Sequence, residues 1–110
     1  MQSLIEKLKQ FRDERNWKQF HRPENLAKSI AIEAAELLEL FQWSSTQDDK
    51  ALIADELADI ISYCLLLADH YDFDVDTIIQ EKIKKNAKKY PIDEAYGNAK
   101  KYTKLKKEKQ

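Results

Sequence analysis

One glycine, two prolines and one cysteine occur in 110 residues, and each scarcity excludes something. Strand-rich folds turn often and use glycine and proline to do so; a chain this poor in both reads as a few long helices. A single cysteine, Cys64, has no partner for an internal disulfide. It lies in the apolar run Ile60 to Ala68 and reads as a small buried hydrophobe. That run is the longest apolar stretch and is far too short to cross a bilayer. Met1 to Phe11 is a charged amphipathic segment rather than a signal peptide. The expectation is a cytoplasmic protein with no membrane partner. The length is that of one domain with a small core, which a second copy of the chain would complete.

What the chain has is charge and apolar surface: 35% charged and 43% hydrophobic residues, the mix of a folded helical protein rather than a disordered one. The net charge of −1 hides an asymmetry. From Glu24 to Asp76 there are thirteen acidic residues and two lysines, and from Lys82 to Gln110 eleven lysines and three acids. The acidic centre suits metal cations; the basic end suits either phosphates or plain solvation.

Apolar residues recur at helical spacing. Leu4, Ile5, Leu8 and Phe11 predict a helix over residues 2–15, which Asn16 to Pro23 interrupts. Pro23 opens a second helix, expected over 24–42. Ser45 or Thr46 is the expected cap of a third over 47–70, with Asp48 or Asp49 completing a capping box. A turn at Tyr71 to Asp74 leads to a fourth over 75–89, stopped by Pro91; beyond it a short helical piece and a fraying Lys-rich tail, 100–110, follow residues 1–99. The predicted fold is all-α, a four-helix-bundle-like arrangement of antiparallel helices. Leu52, Ile53, Leu57, Ile60, Ile61, Cys64, Leu65, Leu66 and Leu67 surround the third helix on nearly every side, so a subunit interface and an oligomer are expected.

Acids break this apolar pattern at particular places. At about 100° per residue, Glu33 falls about 20° from Leu26, inside the apolar face that Ile30 and Leu37 define, and Glu36 falls about 80° away, at its edge. On the third helix Asp59 and Glu56 lie within about 40° of Leu52, among Ile60, Leu66 and Leu67. Carboxylates in apolar surroundings are costly unless paired or metal-bound, and Lys28 and Lys50 are not placed to neutralise four of them. The donors are all oxygen, which favours Mg²⁺ or Mn²⁺ over Zn²⁺. The other reading is that these acids reach solvent at helix edges and pair with lysines. A carboxylate-bridged di-iron bundle is excluded, because neither His21 nor His70 has the Glu three residues earlier that such a site needs.

The block Glu33-Ala34-Ala35-Glu36-Leu37-Leu38-Glu39-Leu40-Phe41-Gln42-Trp43, followed by Asp55-Glu56-Leu57-Ala58-Asp59-Ile60-Ile61-Ser62-Tyr63, resembles the MazG-like all-α nucleoside triphosphate pyrophosphohydrolases, and is most similar to their dCTP pyrophosphatase branch. Similar blocks run upstream from Arg12 to Leu26 and downstream from Lys82 to Pro91, so the resemblance covers all but the tail. It implies Mg²⁺ on Glu33, Glu36, Glu56 and Asp59, with Glu33 and Glu36 the candidates for activating water. It implies cleavage between the α and β phosphates to a monophosphate and pyrophosphate, a nucleotide-pool house-cleaning activity. It implies a base held by Trp17, Trp43 and Tyr63 with His21 nearby, Lys82 and Asn86 at the substrate end, and a homotetramer, with a dimer as the smaller alternative. Ala34 stands where some relatives carry a second acid, and the connection from Trp43 to Glu56 is short.

Three functions compete. The first is hydrolysis of dCTP or a modified pyrimidine triphosphate. The second keeps fold and metal but acts on dUTP or a broad set of triphosphates. The third is a non-enzymatic helical interaction or regulatory protein whose basic tail binds nucleic acid; no base-reading pattern supports nucleic acid as a partner.

Overall fold

The computed structural model describes residues 1–43 and 49–99, and among them every regular element is a helix. The order is α1 (Gln2–Glu14), a 3-10 turn (Lys18–Phe20), α2 (Pro23–Glu39), α3 (Lys50–His70), α4 (Val75–Lys89) and the short α5 (Ile92–Ala95). The expected all-helical class is borne out. The expected caps Ser45 and Thr46 lie outside the described residues, as does the tail from Lys100 onward. No helix among the described residues is long and apolar enough to cross a membrane.

Local chemistry explains most of the helix ends. α1 ends in a left-handed residue, Asn16 at φ 53°. The Trp17 N–H donates to the Arg12 carbonyl at 3.0 Å and the Asn16 N–H to the Asp13 carbonyl at 3.0 Å, the bond pair of a Schellman motif, in which Asn tolerates the left-handed turn. α3 ends the same way. Asp72 has φ 56°, with Phe73 N–H donating to the Ala68 carbonyl at 2.9 Å and Asp72 N–H to that of Asp69 at 3.0 Å. Pro23 opens α2 from its first turn. The Leu52 N–H donates to the Asp49 side chain at 3.2 Å, so Asp49 caps α3. α2 stops at Glu39 rather than 42: Leu40, Phe41 and Gln42 donate to residues three back instead of four, the tightened turn that often satisfies a helix end.

Contacts divide the chain into two units, Met1–Val75 and Asp76 onward. In the first, α3 packs against both α1 and α2. α2 and α3 run antiparallel: Leu26 and Leu66 line one cavity, while seven residues further along α2 Glu33 meets Glu56 and Asp59, which precede Leu66. The core is Ile5, Leu26, Leu65, Leu66 and Ala68, joined by the buried Arg12. Leu26 is 2% exposed, and cutting it to Ala costs about 2–5 kcal/mol by the usual scale for buried leucines. In the second unit no side chain of α4 is buried, and Ile78, Ile79 and Ile83 are exposed.

Cys64 corrects the sequence reading: it is exposed and free. It lies seven residues after Leu57 and three after Ile61, both also exposed, so the three share one side of α3 that a single chain does not cover.

Candidate metal centre

Leu26 turns into the core, and Glu33, seven residues on, follows the same stripe of α2. The sequence that buries Leu26 thereby carries a carboxylate into half-buried surroundings. Across from it α3 offers Glu56, also half-buried, and Asp59, which is exposed. One oxygen from each of Glu33, Glu56 and Asp59 lies within 4.8 Å of the others. One oxygen of Glu33 and one of Glu56 are buried without any hydrogen-bond partner.

The electrostatics follow from that crowding. Burial, then hydrogen bonding with Glu36 and its charge, pushes the Glu33 carboxyl up to about 7 from an ordinary 4.5, with Asp59 and Glu56 adding to the shift. Glu56 is raised too, first by burial and next by the charge of Glu36. Tyr63, one turn after Asp59, is raised by burial and then by the charges of Glu33 and Asp59. Buried carboxylate oxygens with no donor, beside further carboxylates, are costly unless a cation neutralises them. The donors are oxygen only, and the cluster fits a hard divalent cation. Of the four acids singled out in the sequence, three gather their oxygens; Glu36 is exposed and stands beside Glu33.

The aromatic residues divide. The His21 ring meets Tyr63 edge to face, centroids 6.3 Å apart at 72°. Burial, and then the Arg12 charge, lowers the pKa of His21. Trp17 packs edge-on against Phe11, centroids 5.9 Å apart, with the Arg15 guanidinium 3.7 Å above the Phe11 ring. Trp43, in the turn after α2, is 91% exposed. Lys82 and Asn86 are exposed on α4, in the second unit. One residue the sequence reading passed over is Arg12. It lies seven positions after the buried Ile5, and that spacing on the α1 stripe was the available signal.

Comparison with known proteins agrees with the all-helical fold. The model of the MazG-like family matches residues 28–105. The chain is 35% identical over 105 residues to dCTP pyrophosphatase 1 of Rattus norvegicus and 33% identical over 105 residues to that of Homo sapiens, in each case over 87% of this chain and 62% of the relative. It therefore spans less than two thirds of the length of these relatives. Its fold is similar to the crystal structure of a pyrophosphatase from Archaeoglobus fulgidus, with a TM-score of 0.77 and 40% identity, over 83% of this chain and 92% of that one.

Proposed function

Because the chain belongs to the MazG-like family, we propose that it hydrolyses a nucleoside triphosphate between the α and β phosphates, releasing a monophosphate and pyrophosphate. The observation that carries this reading is the cluster of Glu33, Glu56 and Asp59 oxygens within 4.8 Å, two of its residues keeping a buried oxygen without a donor. dCTP or a modified pyrimidine triphosphate is the first choice of substrate, since the relatives at 33–35% identity are named dCTP pyrophosphatase. The role that follows is removal of unwanted nucleotides from the pool.

Glu33, Glu56 and Asp59, joined by Glu36, would hold Mg²⁺, or Mn²⁺ in its place. The chemistry supplied there is neutralisation of phosphate charge and a lowered pKa for water. Glu33 and Glu36 are the candidates for taking the proton of an attacking water. Glu36 lies outside the three-oxygen cluster and is the freer of the two to do so. Tyr63 and His21 offer one wall of a base pocket, to which Trp17 and Trp43 contribute aromatic faces. Lys82 and Asn86 supply a cation and an amide for the phosphates or sugar. The exposed side of α3 bearing Leu57, Ile61 and Cys64 is closed by a second copy, in a dimer that pairs into a tetramer.

A nucleotide panel with Mg²⁺, scored for pyrophosphate against phosphate release, tests the proposal. Pyrophosphate from a pyrimidine triphosphate supports it. Turnover of dUTP or of all triphosphates alike keeps the reaction and changes the substrate. No release from any nucleotide leaves a non-catalytic helical protein.

A further inference from the structure

A second polar site lies at the other end of the α2–α3 pair. A cavity of about 420 Å³ opens between α1, the segment Lys18 to Pro23 and the end of α3. Four cations line it, Lys9, Arg12, Lys18 and Arg22, against one carboxylate, Asp69. Leu26, Leu66 and Pro23 form an apolar wall. Leu66 and Asp69 lie seven and ten residues beyond Asp59, roughly 10–15 Å further along α3, so this basic cavity is distinct from the carboxylate cluster, although it shares His21 with the base pocket proposed above.

Part of that charge is already engaged. Lys9 sits 3.6 Å from Asp69 and 3.7 Å from Glu6, and Arg22 sits 3.1 Å from Glu24. Arg12 differs. Its side chain is 10% exposed, and among the described residues only its Nε is paired, donating to Asp13 at 2.8 Å. The terminal N–H groups of this mostly buried side chain are thus left without a protein acceptor among the described residues, at the wall of a cavity. Donors left idle at a cavity wall are open to a ligand, and a planar fork of donors matches the oxygens of a phosphate group. Beside it the Nδ1 of His21 is also buried without a partner. Lys18 forms no ion pair among the described residues.

We infer that this cavity binds the phosphate group of a small molecule, with Arg12 as its central donor, Lys18 and Arg22 at the mouth and His21 at the side. The inference does not depend on the proposed hydrolysis. An anion here would sit against His21, whose ring meets that of Tyr63.

The test is calorimetric titration of the full chain in EDTA with inorganic phosphate, inorganic pyrophosphate and dCMP. EDTA keeps the acidic cluster free of metal, and no turnover is measured. Saturable one-to-one binding is expected, with the double variant Lys18→Glu/Arg22→Glu weakening it at least about tenfold by loss and reversal of charge-assisted bonds. Arg12→Gln should abolish it; because that residue is buried, the surface pair serves where Arg12→Gln does not fold. Glu33→Gln should leave the affinity within about twofold. Tightest binding of pyrophosphate assigns the site to the bare anion, and tightest binding of dCMP assigns it to a nucleotide resting on the apolar wall. Absence of saturable binding, affinity unchanged in the Lys18/Arg22 variant, or binding lost in Glu33→Gln would overturn the inference.

Discussion

Glu33 on α2 and Glu56 on α3 each hold one carboxylate oxygen out of water with no donor to meet it, within a cluster that spans no more than 4.8 Å. Two such groups repel each other and resist ionising. A divalent cation removes both penalties, and it binds only the folded state. Mg²⁺ at a hundredfold excess over its Kd should therefore stabilise the chain by about 2.7 kcal/mol. Glu33→Gln should lose most of that gain while raising the stability of the metal-free protein. Thermal unfolding with and without Mg²⁺ checks this; an equal Mg²⁺ shift in Glu33→Gln would place the ion elsewhere.

Glu33 also sets a pH dependence. Its carboxyl stands at about 7 in the fold against an ordinary 4.5. Below about 4.5 both folded and unfolded chains carry the proton. Between 4.5 and 7 the unfolded chain gives it up first, so this group lowers stability as pH rises and levels off above 7. His21 acts in the opposite sense, because a lowered pKa loses stability as pH falls through its ordinary 6.5. The difference between wild type and Glu33→Gln isolates the carboxyl. In urea titrations with EDTA, wild type should lose ground to Glu33→Gln between pH 5 and pH 8. A constant difference would contradict the burial of that carboxyl.

Single replacements Glu33→Ala, Glu36→Ala, Glu56→Ala and Asp59→Ala should each cut turnover by more than about a hundredfold, since even the groups that merely orient metal ligands cost 10–100-fold when removed. Steady-state rates at saturating Mg²⁺ check this. If Glu36→Ala alone retained near wild-type activity, the water-activating role would pass to Glu33.

Base selection should depend on different residues from the chemistry. Stacking is indifferent to the identity of a base, so Trp43→Ala should raise KM for every substrate. Hydrogen bonds to a ring edge or sugar discriminate, because a buried group left unpaired is penalised; His21→Ala and Asn86→Ala should change the order of preference more than kcat. kcat/KM for dCTP, dUTP, dTTP and the purine triphosphates in the three variants decides it. Unchanged KM values in Trp43→Ala would remove that residue from the pocket.

Leu57 and Ile61 are 42% and 48% exposed in one chain, an apolar face that soluble monomers rarely leave open. Ile61→Asp should convert an oligomer of the wild type to a monomer in light scattering. A monomeric wild type at micromolar concentration would contradict the expected interface.

The sequence made the helices and the acids legible for one reason: 3.6-residue periodicity places Leu26 and Glu33 on one stripe whether or not the partner helix is known. What it hid depends on neighbours. Cys64 sits in an apolar run, yet which side of an all-apolar helix is covered cannot be read from that helix. Arg12 is charged, so its place on the stripe of Ile5 was easily passed over. The end of α2 at Glu39 depends on a switch to tighter hydrogen bonds that apolar spacing does not record.

The Glu33–Glu56–Asp59 cluster, on this reading, supports cleavage between the α and β phosphates. The most direct measurement is phosphorus NMR of dCTP incubated with the chain and Mg²⁺, run beside the same reaction in excess EDTA and with Glu56→Gln. The expected products are dCMP and pyrophosphate in equal amounts with Mg²⁺, and unreacted dCTP in both other samples. Release of inorganic phosphate with dCDP, or equal turnover in EDTA, would contradict it.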